Sequence, residues 1–219
     1  MINSITLQNT LPAVFAGSEH EPPVCTSTVW LKNLTFERPS YYMIEAESGT
    51  GKSSLCAYIY GSRLDYSGRI LFDGEDTRFF SMDRWSTLRR EALAYLPQEM
   101  MLFPELTVLE NIAIKNRLTD YKSADDIDKM LQLLEIDNKK NTPARLLSVG
   151  QQQRVAIIRA LCQPFDFLIV DEPVSHLDAR NNSVVASLID AEAKARGAAV
   201  IATSVGNKIT LPNLNVLML

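Results

Sequence analysis

Nine consecutive residues, Ala46-Glu47-Ser48-Gly49-Thr50-Gly51-Lys52-Ser53-Ser54, bring together what phosphate chemistry needs. Glycines let successive backbone N–H groups turn inward around phosphate oxygens with no side chain in the way. The Lys52 ammonium can reach the terminal phosphates of a nucleotide, and the Ser53 hydroxyl can ligate Mg²⁺. Position 46 departs from the usual pattern, which has glycine there. The alanine methyl is small, so binding survives if the backbone at that point has no need of positive φ. Two further sets carry chemistry: the carboxylates Asp171-Glu172, and Ser148-Val149-Gly150-Gln151, where a capping hydroxyl precedes an approachable backbone.

These groups need elements to hold them. Tyr41-Tyr42-Met43-Ile44 reads as a buried strand before the glycine loop, and Leu55 to Tyr60 as the first turns of a helix after it. Strand, glycine loop with Lys-Ser, then helix is the layout of a phosphate-binding loop. The helix N-terminus adds unpaired donors and a positive dipole end. Ala94-Tyr95-Leu96-Pro97-Gln98 is an apolar strand stopped by proline. Gln98 then lies past a carboxyl end, where a sheet of parallel strands offers groups to Mg²⁺ or water. Leu147 to Arg154 leads a helix with an apolar face of Val155, Ile157, Ile158 and Leu161. Ser148 caps it, making a second anion site at a helix N-terminus. Phe167-Leu168-Ile169-Val170 is a continuous buried strand that sets Asp171 near the Mg²⁺ and Glu172 near the γ-phosphate.

The remaining chain is less specific. Ile5-Thr6-Leu7 and Val29 to Phe36 alternate as strands, with a polar, proline-containing loop at 17–23 between them. Phe15 leaves two readings open, stacking on a purine base or packing in the core. Gly68 to Phe72 is a short strand ending in the turn Asp73-Gly74, and 85–93 a short helix with Arg84, Arg89 and Arg90 on a solvated face. From 105 to about 161 the pattern is helical: Thr107 caps a helix from Val108, and Ile127, Met130, Leu131 and Leu134 form an apolar seam. Met100-Met101-Leu102-Phe103-Pro104 is more apolar than a surface loop, which fits either a contact surface or burial within the chain.

The 219 residues suffice for one α/β domain with a subdomain inserted. A net charge of −4 argues against nucleic acid as the main partner. Three scattered cysteines, Cys25, Cys56 and Cys162, give no disulfide framework and fit a reducing compartment. No signal peptide is expected, and no apolar run approaches the ~18–20 residues of a bilayer span.

Five motifs in order, the loop at 46–53, Gln98, 147–151, Asp171-Glu172 and Ser175-His176-Leu177-Asp178, resemble the nucleotide-binding domain of ATP-binding cassette (ABC) transporters over essentially the whole chain. The resemblance implies a P-loop NTPase with a RecA-like α/β core at 1–98 and 163–219, an N-terminal β subdomain, and a helical subdomain at 99–162. It implies ATP bound by Ser48, Gly49, Thr50, Gly51, Lys52, Ser53 and Ser54, with Mg²⁺ on Ser53 and Gln98 and held through water by Asp171. Glu172 matches the water-polarising carboxylate. Ser148, Gly150 and Gln151 match the signature residues that contact ATP held by the opposite subunit of a homodimer or heterodimer, and Asp178 matches the loop crossing that interface. The expected role is hydrolysis of ATP to drive membrane-spanning permease subunits, from the cytoplasm at the inner face of the cell membrane. Leu102 to Ile112 and Gln151 to Arg154 look like bacterial cassettes for amino-acid import, lipoprotein release or macrolide efflux, an analogy that selects no cargo. Two departures bear on function. Val149 replaces a signature glycine, and Ser204 stands where the family has a histidine. The alternative implied by Ser204 is a regulatory or assembly subunit that binds ATP, hydrolyses it poorly and is active beside a competent partner.

Overall fold

The computed structural model describes all residues 1–219. Five strands, β3 (Tyr41–Glu45), β6 (Leu93–Leu96), β7 (Phe167–Asp171), β8 (Ala199–Ser204) and β9 (Leu214–Met218), form a parallel sheet in the order β6-β7-β8-β3-β9. Continuous apolar runs suit strands covered on both faces, and period-two alternation sorts their side chains into two layers. Met43, Ala94, Leu96, Leu168, Val170, Val200 and Ala202 face one core. Tyr42, Ile44, Leu93, Phe167, Ile169, Ala199 and Ile201 face the other.

The first core is covered by α3 (Val108–Asn116), α4 (Ala124–Leu133), α5 (Val149–Leu161) and α6 (Ala179–Arg196). The seam of Met130, Leu131 and Leu134 is continuous with the apolar layer beneath the sheet. The second core lies under α1 (Lys52–Ile59) and α2 (Met82–Glu91), and under an antiparallel sheet. That sheet contains β1 (Ser4–Pro12), β2 (Asn33–Glu37), β4 (Tyr66–Phe72) and β5 (Glu75–Asp76), ordered β2-β1-β4-β5. Ile5 stands opposite both Phe36 and Phe72, which fixes the apolar face inward.

Three expectations from the sequence need correction. The strand expected from Val29 begins only at Asn33. The Ser27 hydroxyl accepts the N–H groups of Val29 and Trp30 at 2.9 and 2.8 Å, which takes them out of the ladder. Leu31 then turns the chain with φ +56°, and Val29 and Trp30 are buried. The helix expected over 85–93 starts earlier, capped by Ser81, and ends at Glu91, because Leu93 pairs with Phe167. Arg89 is not part of a solvated face: its guanidinium donates to the carbonyls of Tyr60 and Gly61 at the end of α1. Met100 to Pro104 divides between the two readings. Met100 is buried, Met101 and Phe103 are exposed, and Arg159 binds the Met100 and Met101 carbonyls.

Candidate nucleotide site

The glycine loop runs from the end of β3 into α1. Gly51 has φ +99°, and a Cβ there would lie 3.0 Å from the Trp30 ring and 3.3 Å from Phe15. Both conformation and space therefore require glycine. Trp30 braces the loop further, its indole N–H donating to the Thr50 carbonyl at 3.1 Å. Sequence reasoning assigned Trp30 to a strand and missed this support. Phe15 packs half-buried against the same apolar cluster.

Inside the loop, the Thr50 hydroxyl and the Lys52 ammonium both donate to the Glu47 carbonyl, at 2.9 and 2.8 Å. Thr50 is buried and directed inward, while Ser48, Gly49 and Ser53 are exposed. Lys52 is only 6% exposed, and its Nζ lies 4.0 Å from Glu172 Oε1. That proximity arises because α1 packs onto β7, bringing the loop to the carboxylates. Ser54, two positions past Lys52, accepts a hydrogen bond from Arg63 at 2.9 Å.

Asp171 is 2% exposed at the end of β7. Its Oδ1 accepts the Thr203 hydroxyl from the neighbouring strand, while its Oδ2 is buried with no partner. A buried carboxylate oxygen without a donor is costly unless a cation or water meets it. The strand register places Leu96 beside Val170, so Gln98 follows two residues past the carboxyl end of β6, the strand next to the one that ends in Asp171. The Cys56 thiol on the buried face of α1 is pushed well above its ordinary pKa, first by burial and then by the Asp171 charge. Glu172 has φ +50°, with its N–H donating to Thr203 Oγ1 at 3.1 Å.

Ser148 begins α5 with a reciprocal cap: Gln151 N–H donates to Ser148 Oγ at 3.3 Å, and Ser148 N–H to Gln151 Oε1 at 3.0 Å. A Cβ on Gly150 would lie 3.0 Å from the His176 carbonyl, so the small residue lets the loop at 175–178 close on α5. Val149 is half exposed and clear of that contact. Asp178 caps α6 by accepting the Asn181 N–H at 2.8 Å, and these Asn181 hydrogen bonds hold its carboxyl below the usual range. Ser204 is buried, and its hydroxyl donates to the Asn207 carbonyl at 3.0 Å. It borders a cavity of about 740 Å³ shared with residues 45–50, Gly206 and Lys208.

A parallel sheet with a phosphate loop, a buried carboxylate at the next-but-one strand and a capped second helix defines a P-loop nucleotide-binding protein. Residues 32–175 match the family model described as ABC transporter, and the chain belongs to that family. It is an ATP-binding subunit of an ABC transporter and an ATPase. It is 33% identical to lipoprotein-releasing system ATP-binding protein LolD 1 of Chlorobium chlorochromatii, over 72% of this chain and 66% of the relative. It is 34% identical to LolD of Buchnera aphidicola, over 72% of this chain and 70% of the relative. In structure it resembles a bacterial ABC transporter cassette solved as a dimer, with TM-score 0.78 and 23% identity over 98% of this chain and 94% of that one. No helix is long and apolar enough to cross a membrane.

Proposed function

We propose that the chain binds Mg-ATP through residues 48–54, with the Ser53 hydroxyl, the Gln98 side chain and Asp171 facing the metal. The observation that carries this reading is the partnerless, buried Oδ2 of Asp171. Oxygen donors of this kind suit Mg²⁺, which supplies charge neutralisation for the phosphates. Lys52 then exchanges the Glu47 carbonyl for phosphate oxygens. Glu172 accepts a proton from the attacking water as its oxygen bonds to the γ-phosphorus and the bond to ADP breaks. Ser148, Gly150 and Gln151 meet the ATP of a second cassette, homologous or identical, and the Phe15 ring lies beside the adenine. Residues 1–98 and 163–219 serve as the core and 99–162 as a helical unit.

The partners on this reading are membrane-spanning subunits at the inner face of the cell membrane. A groove of about 420 Å³ between α2 and α3 suits them. Its rim exposes Met82 by 80% and Leu118 by 54%. Lys115 within it has a lowered pKa, first from burial and then from Arg159 and Arg89, and no carboxylate partner. An acidic side chain on an amphipathic partner segment would complete that set.

A second reading has its own observation. The Ser204 hydroxyl is committed to Asn207, which favours slow hydrolysis and a regulatory or assembly role beside a competent partner. Titration calorimetry with Mg-ATP tests the first reading. Lys52→Ala removes a charge-assisted contact worth about 1.5–3 kcal/mol, so affinity should fall roughly ten- to a hundredfold. Parent-like binding by that variant would overturn the assignment of the phosphate loop.

A further inference from the structure

Glu172 occupies a backbone region that a non-glycine residue holds only when its surroundings impose it. Its N–H is taken by Thr203 of β8. Its carbonyl accepts from Gln153 Nε2 at 3.1 Å and from the Ser175 hydroxyl at 3.1 Å. Gln153 is the unusual member of this clamp. It stands on α5, one turn beyond the Ser148 cap, and its spacing from Ile157 and Ala160 puts it on the helix face that the core covers. It is only 3% exposed. A polar amide there is expensive unless fully paired, and a leucine would pack at that position without this cost.

The amide is fully paired, and its partners span two elements. Besides the Glu172 carbonyl, Nε2 reaches Ser175 Oγ at 3.3 Å, while Oε1 accepts the His176 N–H at 3.1 Å. The same loop touches Gly150 through the His176 carbonyl. We infer that Gln153 is a positioning residue: it ties the seat of α5 and of the loop at 175–178 to the setting of the Glu172 carboxylate. This rests on Glu172 acting as the water-polarising base. Gln153 touches no part of the phosphate loop, so ATP binding does not depend on it. A shift of the α5 start, such as a second cassette closing on it would produce, is passed through one side chain to the hydrolytic carboxylate.

Steady-state phosphate release and ATP titration on the full chain test this, using Gln153→Leu and Gln153→Glu, each also combined with Glu172→Gln. Gln153→Glu keeps the acceptor for His176 but removes the donor to Glu172. The expected result is a kcat lowered about tenfold or more in both single variants, with KM and Kd for ATP within twofold of the parent. In the Glu172→Gln background the same changes should leave the residual rate unaltered, because the group being positioned is gone. An unchanged kcat, a parallel loss of kcat and affinity, an equal loss in both backgrounds, or failure of both variants to fold would each overturn the inference. Parent-like turnover by Glu172→Gln alone would instead overturn the role of Glu172.

Discussion

Ser204 is the residue at which, on the proposed function, one side chain sets the rate without changing the architecture around it. Its hydroxyl donates within its own turn to Asn207, and Asn207 Nδ2 in turn donates to the carbonyls of Val174 and Leu177. The hydroxymethyl group is shorter than an imidazole by several bonds and already engaged, so on the proposed function it does not replace a histidine's contact to the γ-phosphate. Loss of one preorganised contact to a transition state typically costs about 2.7–4 kcal/mol, or ~10²–10³ in rate. Ser204→His should therefore raise kcat by up to that factor with little change in KM, and the adjoining cavity has room for the ring. Phosphate release from the two purified proteins measures it. Fast parental turnover that Ser204→His leaves unchanged would mean that another group already makes the contact.

At the scale of elements, α1 is the part that must not move, and it is clamped at both ends. Trp30 and Phe15 close over Gly51 at its start. At its end, Arg89 of α2 holds the last carbonyls, and the Trp85 ring covers Gly61 so closely that a Cβ would lie 2.4–2.6 Å from ring atoms. Gly61 also has φ +71°. Gly61→Ala thus combines a left-handed alanine, roughly 1–2 kcal/mol, with overpacking, about 1–3 kcal/mol. Urea denaturation should report a loss of roughly 2–5 kcal/mol, with an unchanged slope. A loss below about 1 kcal/mol would mean that Trp85 moves aside freely and that α1 is not held there.

Across the whole molecule, the capped start of α5, the loop at 175–178 and the phosphate loop are joined through Gln153 and Glu172 and through the packing of α1 on β7. Such a body suits closure with a second cassette around ATP. Glu172→Gln keeps shape while removing the base, so bound ATP should persist and the closed pair should accumulate. Light scattering with Mg-ATP should then give twice the 24.5 kDa mass of one chain, and a single-chain mass without it. A single-chain mass in both conditions would sink self-pairing and favour a different cassette as partner.

Local pattern was enough for much of this protein. The phosphate loop, the strand before Asp171, the caps at Thr107 and Ser148 and the two-sided burial of the sheet follow from glycine placement, side-chain periodicity and capping chemistry. These depend on residues a few positions apart, which the sequence displays directly. Trp30 over Gly51, Thr203 on Asp171 and Arg89 on the end of α1 depend on contacts between residues about 20 to 32 positions apart. Periodicity can mark such side chains only as buried or polar. Gln153 did leave a signal, a polar residue in register with Ile157 and Ala160, but its partners became visible only once the strands and helices had met. Helical and strand periods report which face is covered, whereas the donor that meets a given acceptor is decided by tertiary packing.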